Sequence, residues 1–593
     1  PYRRQRQMCI RDSMNTELRY VSHASKQLSD KNVTETVVKM TDCCQALDVE
    51  LVFTAYAREN VITTHAVIRN REKGPVTLHS FYSSSLPLKA DKYLLTHLYG
   101  AWAREAQVDH TLLTHGSKSI ESTREVRTTH TENPAFLLTL NSDSFSETCG
   151  EVIAGALAWS GNFRLNFEVD EFDVLTVLAG ANPNASEYRL RPGETFTTPE
   201  MIYTHSFCGA GGASRNLHDW ARNYGIYHGH EVVPTLLNSW EGAYFKFDAK
   251  VLKQMIDDAA SMGLEMFVLD DGWFGNKYPR NNSNAGLGDW QVNAAKLPEG
   301  IEGLTASARE KGLKFGIWIE PEMTNTRSEL YEKHPDWVIQ QPYRENRKGR
   351  GGTQQVLDLS NPAVQEFVFS VVDRLMTAHP DIAYIKWDDN MTLYNYGSTF
   401  LPADRQSHLY IEYHRGMDKV LRRIQEKYPR LVMQSCASGG GRVNYGVLPY
   451  YDEFWTSDNT DALQRIYMQW GVSNFYPAVA MASHVSASPN HQTGRNVPLK
   501  LRFDVAMSGR LGLELQPSKM TGKEKEFARR AIADYKEIRP IVQQGDLYRL
   551  ISPYDKTGYA SLMYVAPEKD RAVWFVYKLS LIHISEPTRR TPI

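Results

Sequence analysis

The 593-residue chain has few cysteines, no long apolar run and no excess charge of either sign. Its six cysteines, Cys9, Cys43, Cys44, Cys149, Cys208 and Cys436, are scattered, and no CxxC spacing occurs. That argues against a zinc ribbon or a disulfide framework and for a reducing compartment. No apolar run approaches the roughly 18 residues that a membrane-spanning helix needs. Sixty-seven basic residues balance 69 acidic ones, for a net charge of −2. There is thus no electrostatic case for nucleic acid or an anionic membrane as partner. No signal-peptide pattern opens the chain. A cytoplasmic location is expected, with secretion left open because the native N-terminus is read as missing.

What is present changes rhythm along the chain. Residues 1–13 have no strand or helix period, and residues 579–593 cut off a strand at Val573–Tyr577. Both ends resemble translated sequencing-adapter sequence, so they are expected to be non-native, and disordered or loosely packed. Residues 14–228 carry short alternating runs such as Leu51–Tyr56, Val61–Ile68 and Phe163–Phe167, split by turns at Asn70–Pro75 and Arg191–Glu194. These predict an antiparallel β-sandwich, truncated at its start. A helix over Asn216–Tyr224 leads toward Pro234.

From 229 to 540 apolar runs alternate with amphipathic helices. The runs are Leu236–Trp240, Met266–Asp270, Phe315–Glu320, Tyr384–Asp388, Leu431–Cys436, Phe454–Asp458, Val479–His484 and Leu511–Leu515. Helices are predicted at Asp248–Ser261, Pro362–Ala378, Arg405–Glu426, Asp461–Trp470 and Lys523–Ile538. This is the α/β pattern of a (β/α)8 TIM barrel. An open doubly wound sheet would gather polar residues at one switch point; here they cluster at the end of nearly every strand. A truncated C-terminal β-domain fragment, 541–578, follows. Strands missing from both flanking β-domains would leave open edges, which favour aggregation. The chain as written is therefore expected to be poorly soluble. The full-length protein is expected to be a homo-oligomer, with a tetramer among the options.

Two aspartates end two of the runs, Asp388 in Tyr384-Ile385-Lys386-Trp387-Asp388 and Asp458 in Phe454-Trp455-Thr456-Ser457-Asp458. The plain alternative is that each caps a following helix. A pair of carboxylates at strand ends is also what glycosidic cleavage needs, one for the sugar carbon and one to protonate the leaving oxygen. Around the same barrel face the strand ends place Trp240, Asp270, Asp271, Trp273, Trp318, Glu320, Glu322, Lys386, Asn390, Cys436, Ser438, Arg442, Arg465 and His484. Acids, amides, a lysine and tryptophans suit a neutral polyhydroxylated substrate. Carboxylates chelate hydroxyls, and an indole covers the apolar sugar face. Gly439-Gly440-Gly441-Arg442 lacks the Walker pattern, and a tight barrel turn explains it better than a phosphate loop.

Seven motifs together resemble glycoside hydrolase family 36, the retaining α-galactosidases of bacterial type. They are Asn238-Ser239-Trp240-Glu241, Leu269-Asp270-Asp271-Gly272-Trp273-Phe274-Gly275, Gly316-Ile317-Trp318-Ile319-Glu320-Pro321-Glu322-Met323, Lys386-Trp387-Asp388, Cys436-Ala437-Ser438-Gly439-Gly440-Gly441-Arg442, Trp455-Thr456-Ser457-Asp458-Asn459-Thr460-Asp461, and His484-Val485-Ser486 with Pro489-Asn490. The resemblance spans about Leu51 to Tyr577. It implies Asp388 as nucleophile, Asp458 as general acid/base, and Asp270 and Asp271 as ligands of the galactose 4- and 6-hydroxyls. Lys386, Trp240, Trp318, Asn390, Cys436 and Ser438 are implied in the sugar pocket. Trp318 as core filling and Cys436 as an inert thiol stay open, and His484 is read as structural. Spacing alone leaves Glu320 and Glu322 as alternative acids; the resemblance decides against them. Where relatives carry an Arg before Val-Leu-Asp, this chain has Gly352, and Arg350 is the candidate replacement.

The implied activity is hydrolysis of terminal α-galactosides of the melibiose and raffinose type, with no metal or organic cofactor. Two rivals keep the same acids, an α-N-acetylgalactosaminidase and a galactosyl-transferring relative. A third, from a different class, is a non-catalytic sugar-binding protein. The two-step retaining mechanism needs its carboxyls about 5–5.5 Å apart.

Overall fold

The computed structural model describes residues 16–123 and 126–579. Residues 1–13 and 580–593 lie outside the described residues, as does Cys9. Leu579, the first residue of the expected tail, is buried, and its amide donates to Gly558 O at 2.7 Å.

The N-terminal half is antiparallel. A ten-stranded sheet runs from Leu18–Gln27 at one edge to Arg104–Leu112 at the other, and a four-stranded sheet, centred on Val174–Ala181 and Phe163–Val169, packs on it. Alternation sorts the residues of the large sheet. Phe136 and Leu138 of Glu132–Leu140 meet Leu165, Phe167 and Val177 of the small sheet. Their neighbours Ala135 and Leu137 face the other way, into a core shared with Leu217, Tyr445, Phe454 and Tyr476. A sheet buried on both faces needs apolar residues in both registers, and this strand supplies them.

The helix after the sandwich is Gly209–Trp220, with a π turn at Ala221–Gly225. It begins earlier than the predicted Asn216. Gly209-Ala210-Gly211-Gly212 reads as a turn, but Gly209 holds φ +67°, and a Cβ there would meet Cys149 N and Ser146 O at 2.7 Å. Close packing, not propensity, decides this segment.

Eight parallel strands then close into a barrel: β1 (Leu236–Asn238), β2 (Met266–Leu269), β3 (Lys314–Ile319), β4 (Ile382–Trp387), β5 (Val432–Ser435), β6 (Glu453–Trp455), β7 (Met481–Ser486) and β8 (Arg510–Glu514). Leu237, Phe267 and Ile317 point outward to the helices, while Leu236, Met266, Val268 and Tyr384 fill the interior. Deeper in the barrel, Arg510 is ion-paired with Glu453, which also accepts from Tyr384 and Gln434. The fold is the predicted (β/α)8 barrel between antiparallel β-domains.

The helices start where capping chemistry dictates. Asp248, Asn361 and Asp461 each accept a hydrogen bond from a first-turn amide, and Thr521 and Glu524 form a capping box. The helix after β6 is capped by Asp461, not Asp458. No helix directly follows Asp388. Helix capping therefore does not account for either aspartate. The last barrel helix, Gly522–Gln544, runs through Pro540 and past the predicted end at Ile538, because Ile541 and Val542 are buried. Three strands, Asp546–Ile551, Tyr559–Val565 and Ala572–Lys578, end the described chain. Leu18–Gln27 and Ala572–Lys578 each lie at a sheet edge. Among the described residues, no helix is long and apolar enough to cross a membrane.

The hairpin of Tyr93–Ala101 and Arg104–Leu112 carries the sandwich onto the barrel. Ala103 and Ala106 take left-handed φ of 61° and 54° at its tip. Gly471, in the helix after β6, lies so close that a Cβ would sit 1.9 Å from Ala106 O. Gly471→Ala is expected to push the hairpin off the barrel. Overpacking of this kind costs about 1–3 kcal/mol, so a lowered thermal unfolding midpoint and reduced turnover should appear together. An unchanged midpoint would show the contact to be soft.

Candidate active site

A cavity of about 560 Å3 opens at the C-terminal end of the barrel. Ten residues singled out from the sequence line it: Trp240, Asp270, Asp271, Trp318, Arg350, Lys386, Asp388, Asn390, Ser438 and Asp458. Arg350 therefore reaches the site, with its guanidinium 6.0 Å from the centre of the Trp240 ring. Cys436 does not line the cavity. It packs with Trp455 and Ala482 and gives its thiol to Asp388 from behind. The cause is its backbone position: Cys436 N donates to Trp387 O, so the residue is still inside the barrel ladder.

Asp388 is buried and heavily hydrogen-bonded. Its Oδ2 accepts from Asn390 Nδ2 at 2.7 Å and Trp318 Nε1 at 3.2 Å; its Oδ1 accepts from the amides of Asp389 at 2.9 Å and Ser438 at 3.2 Å. Burial alone would raise its pKa. The Lys386 charge and these donors outweigh burial and hold the carboxyl below its ordinary value. Trp318 thus serves as both a wall and a donor.

Asp458 is tuned the other way. Burial first, then the negative charge of Asp388, raise its pKa. Trp102 Nε1 donates to its Oδ2 at 2.9 Å. Two carboxyls in one pocket are thus pushed apart, one toward the ionised form and one toward the protonated.

Lys386 lies 2.9 Å from Asp270 Oδ2. Burial disfavours its charge, but Asp270, Cys436, Glu514 and Asp388 hold it firmly protonated. Burial raises Asp270 above its ordinary value even with this partner. Asp270 also accepts from Asn238 Nδ2 at 2.8 Å. Asp271 is gripped from below by Arg280, Nε to Oδ1 and Nη2 to Oδ2, both at 2.9 Å. Such a fork fixes the carboxylate plane.

The other rim candidates lie beneath the wall. Glu322 accepts from Arg442, Trp387 and Tyr413. Glu320 accepts from Gln354 and from the amide of Asn390, and its pKa is pushed up to about 8 by burial and then by Asp388. Neither lines the cavity. Arg442 bridges Glu322 and Asp389, Arg465 donates to the carbonyls of Ser457 and Ala482, and Trp273 donates to Trp318 O. His484 is paired with Glu514 at 2.8 Å.

Sequence reasoning missed Trp102, Arg127 and His130, which enter the cavity wall from the N-terminal sandwich, and Glu241, Tyr244, Trp455, Gln492 and Glu514 from the barrel. Glu514 ends β8 and obeys the strand-end rule that found Asp270. The three sandwich residues carry no such signal. Among the described residues, the group with ligand atoms close enough to hold a metal ion is Asp42, Cys43 and Cys44, in a sandwich turn away from the cavity.

A barrel whose C-terminal pocket pairs two carboxyls tuned in opposite directions under tryptophans is that of a glycoside hydrolase. The Melibiase family model matches residues 195–545, and the Glycosyl hydrolase family 36 N-terminal domain matches residues 5–191. The chain is 38% identical over 574 residues to α-galactosidase AgaA of Geobacillus stearothermophilus, covering 94% of this chain and 77% of that one. It is 35% identical over 556 residues to α-galactosidase 1 of Pediococcus pentosaceus, covering 93% and 74%. The crystal structure of AgaA superposes with a TM-score of 0.92 at 36% identity, covering 98% of this chain and 81% of that one. A variant of AgaA in complex with raffinose matches equally well, with a TM-score of 0.92 at 37% identity, covering 95% and 79%. The chain belongs to glycoside hydrolase family 36. It is an α-galactosidase, hydrolysing terminal α-galactosides with retention of configuration.

Lys386→Met tests the electrostatics. Removing the cation lets burial dominate at Asp388, so its pKa rises. The acid limb of kcat/KM should then move to higher pH, alongside a large loss of activity. A limb that stays in place would show that Lys386 does not hold Asp388 ionised.

Proposed function

We propose that Asp388 is the nucleophile and Asp458 the general acid/base of this α-galactosidase. The observation that carries the reading is the opposed tuning of the two carboxyls across one cavity. Asp388 attacks the anomeric carbon while Asp458 gives its proton to the glycosidic oxygen, and the aglycone leaves. Asp458, now ionised, takes a proton from water, which attacks the galactosyl ester and releases galactose with its configuration retained. Lys386 and four donors keep the Asp388 oxygens oriented for attack.

The galactose sits against Asp270, Asp271, Lys386, Asn390 and Ser438, with Trp240 and Trp318 covering its apolar faces. Arg350, which lines the cavity, is read as the replacement for the arginine that relatives carry where this chain has Gly352. Raffinose-type oligosaccharides are the proposed substrates, supported by the AgaA variants bound to raffinose and to stachyose. The chain is read as three working units: a sandwich to residue 228, a barrel from 229 to the end of its last helix, and a C-terminal β-domain. A reducing, cytoplasmic setting fits the five unpaired cysteines among the described residues. A homo-oligomeric enzyme fits the exposed Tyr20 and Val21 on the edge strand.

Three substitutions test the roles. Asp388→Gly should abolish turnover of an aryl α-galactoside while the far-ultraviolet spectrum stays unchanged; wild-type turnover would remove the assignment. Asp458→Asn should cost raffinose hydrolysis about 100-fold or more, within the range of general acid catalysis, and cost an activated nitrophenyl galactoside far less. Equal losses would mean that Asp458 is not the acid. Asp271→Ala should weaken galactose inhibition by about 1–3 kcal/mol or more, the cost of an unpaired buried polar group. An unaltered inhibition constant would take Asp271 out of the sugar site.

A further inference from the structure

Glu105 is a buried carboxylate that the mechanism does not use. It sits on the hairpin strand Arg104–Leu112 of the sandwich, two residues past the left-handed Ala103. It does not line the cavity. Its Oε2 accepts from Ser457 Oγ at 2.5 Å, and Ser457 Oγ in turn accepts from Asn459 N at 3.0 Å. Its Oε1 accepts from Gly440 N at 3.4 Å. Gly439 lies between Glu105 and the acid: a Cβ there would be 2.9 Å from Glu105 Oε1 and 2.6 Å from Asp458 N. The same hairpin supplies Trp102 Nε1 to Asp458 and the carbonyl of Ala103 to Asn459 Nδ2 at 3.0 Å. Every residue of the turn Ser457-Asp458-Asn459 is therefore held by one hairpin of the other domain.

We propose that Glu105 is a positioning residue for Asp458: it fixes the Ser457–Asn459 turn from the N-terminal domain and so sets how Asp458 enters the cavity. The inference rests on the reading of Asp458 as the general acid/base and adds a partner that the barrel lacks. Ser457 Oγ can donate once; the carboxylate accepts that hydrogen bond and leaves the hydroxyl lone pairs for Asn459 N. The turn is thereby locked with Asp458 in the cavity.

The electrostatics follow from the groups around Glu105. Burial pushes its pKa up to about 7, with the Ser457 hydroxyl opposing and Asp458 reinforcing. From the sandwich, His130 Nε2 approaches Glu105 Oε1 at 4.0 Å, and Glu132 borders the same small cavity. From the barrel, Asp458 faces it, and the Glu105 charge acts on Arg465. Near neutral pH Glu105 carries part of a negative charge, which favours the proton on Asp458. Replacing it with a neutral amide removes that charge, so Asp458 loses its proton at lower pH.

The experiment is a pH profile of kcat/KM for Glu105→Gln on raffinose, with 4-nitrophenyl α-galactoside as the activated control. The glutamine carbonyl still accepts from Ser457, so the short bond to the turn is kept, and only the longer 3.4 Å contact from Gly440 N loses its acceptor. The alkaline limb on raffinose should move down by about half to one pH unit. Glu105→Ala removes the acceptor too, and should lose roughly tenfold on raffinose but much less on the activated galactoside. A limb coincident with that of the parent in Glu105→Gln would overturn the proposal. So would equal losses on both substrates in Glu105→Ala, the mark of a merely structural residue. If Glu105→Ala does not fold, the Glu105→Gln profile decides alone. Asp458→Asn, run in parallel, separates the two readings. If it discriminates between the substrates while Glu105→Gln leaves the limb in place, only the role of Glu105 falls. If Asp458→Asn loses equally on both, the acid/base assignment falls and takes this inference with it.

Discussion

One buried ammonium organises this active site. Lys386, the last but one residue of β4, lies inside the barrel, 2.9 Å from Asp270, with Asp388 and Glu514 also acting on it and the Trp455 ring 5.8 Å away. A charge taken out of water costs several kcal/mol unless partners compensate. Here the carboxylates compensate, and there are more of them than one cation can serve. Asp388, with the donors, stays ionised. Asp458, Glu241, Glu320 and Asp270 itself are all driven toward the protonated form, chiefly by burial. The opposed tuning of Asp388 and Asp458 thus comes from the Lys386 charge and the hydrogen-bond donors at the first, and from burial and the Asp388 charge at the second.

The barrel does not complete the pocket by itself. Trp102 reaches Asp458, and Arg127 donates to the carbonyl of Asp389 at 2.8 Å, both from the sandwich. Asn444 Nδ2 donates to Thr128 Oγ1 at 2.6 Å, and Thr129 N donates to Gly441 O at 2.9 Å, joining the same segment to the loop after β5. Packing makes this possible. The sheet presents small Ala135, Ala154 and Ala156 toward the barrel side, so the two units approach closely. The rigidity of the sandwich is then available to residues that must be held to a fraction of an ångström for proton transfer.

The barrel and the centre of the site were legible because both follow one rule. Parallel strands buried on both faces read as apolar runs, and their C-terminal ends open into the catalytic rim. That rule found Asp270, Asp271, Lys386, Asp388 and Asp458 by position. It could not separate the cavity wall from the layer below it. Cys436, Glu320 and Glu322 occupy similar strand-end positions, and only the path of the chain turns them inward. It also could not reach Trp102 or Glu105, which lie more than 300 residues before Asp458 and belong to a sandwich whose local pattern is that of any β-domain. The helix at Gly209 and the passage through Pro540 were hidden for a third reason. In both places tertiary packing overrides a strong local preference.

The most direct test of the central claim is to trap the covalent intermediate. A fluorinated α-galactosyl fluoride slows breakdown of a galactosyl-enzyme, and peptide mass mapping then locates the ester. The account predicts one adduct, on the peptide spanning Lys386 to Asn390 and carried by Asp388. An adduct on Asp458, Glu320 or any other residue, or turnover of the reagent with no adduct at all, would contradict it.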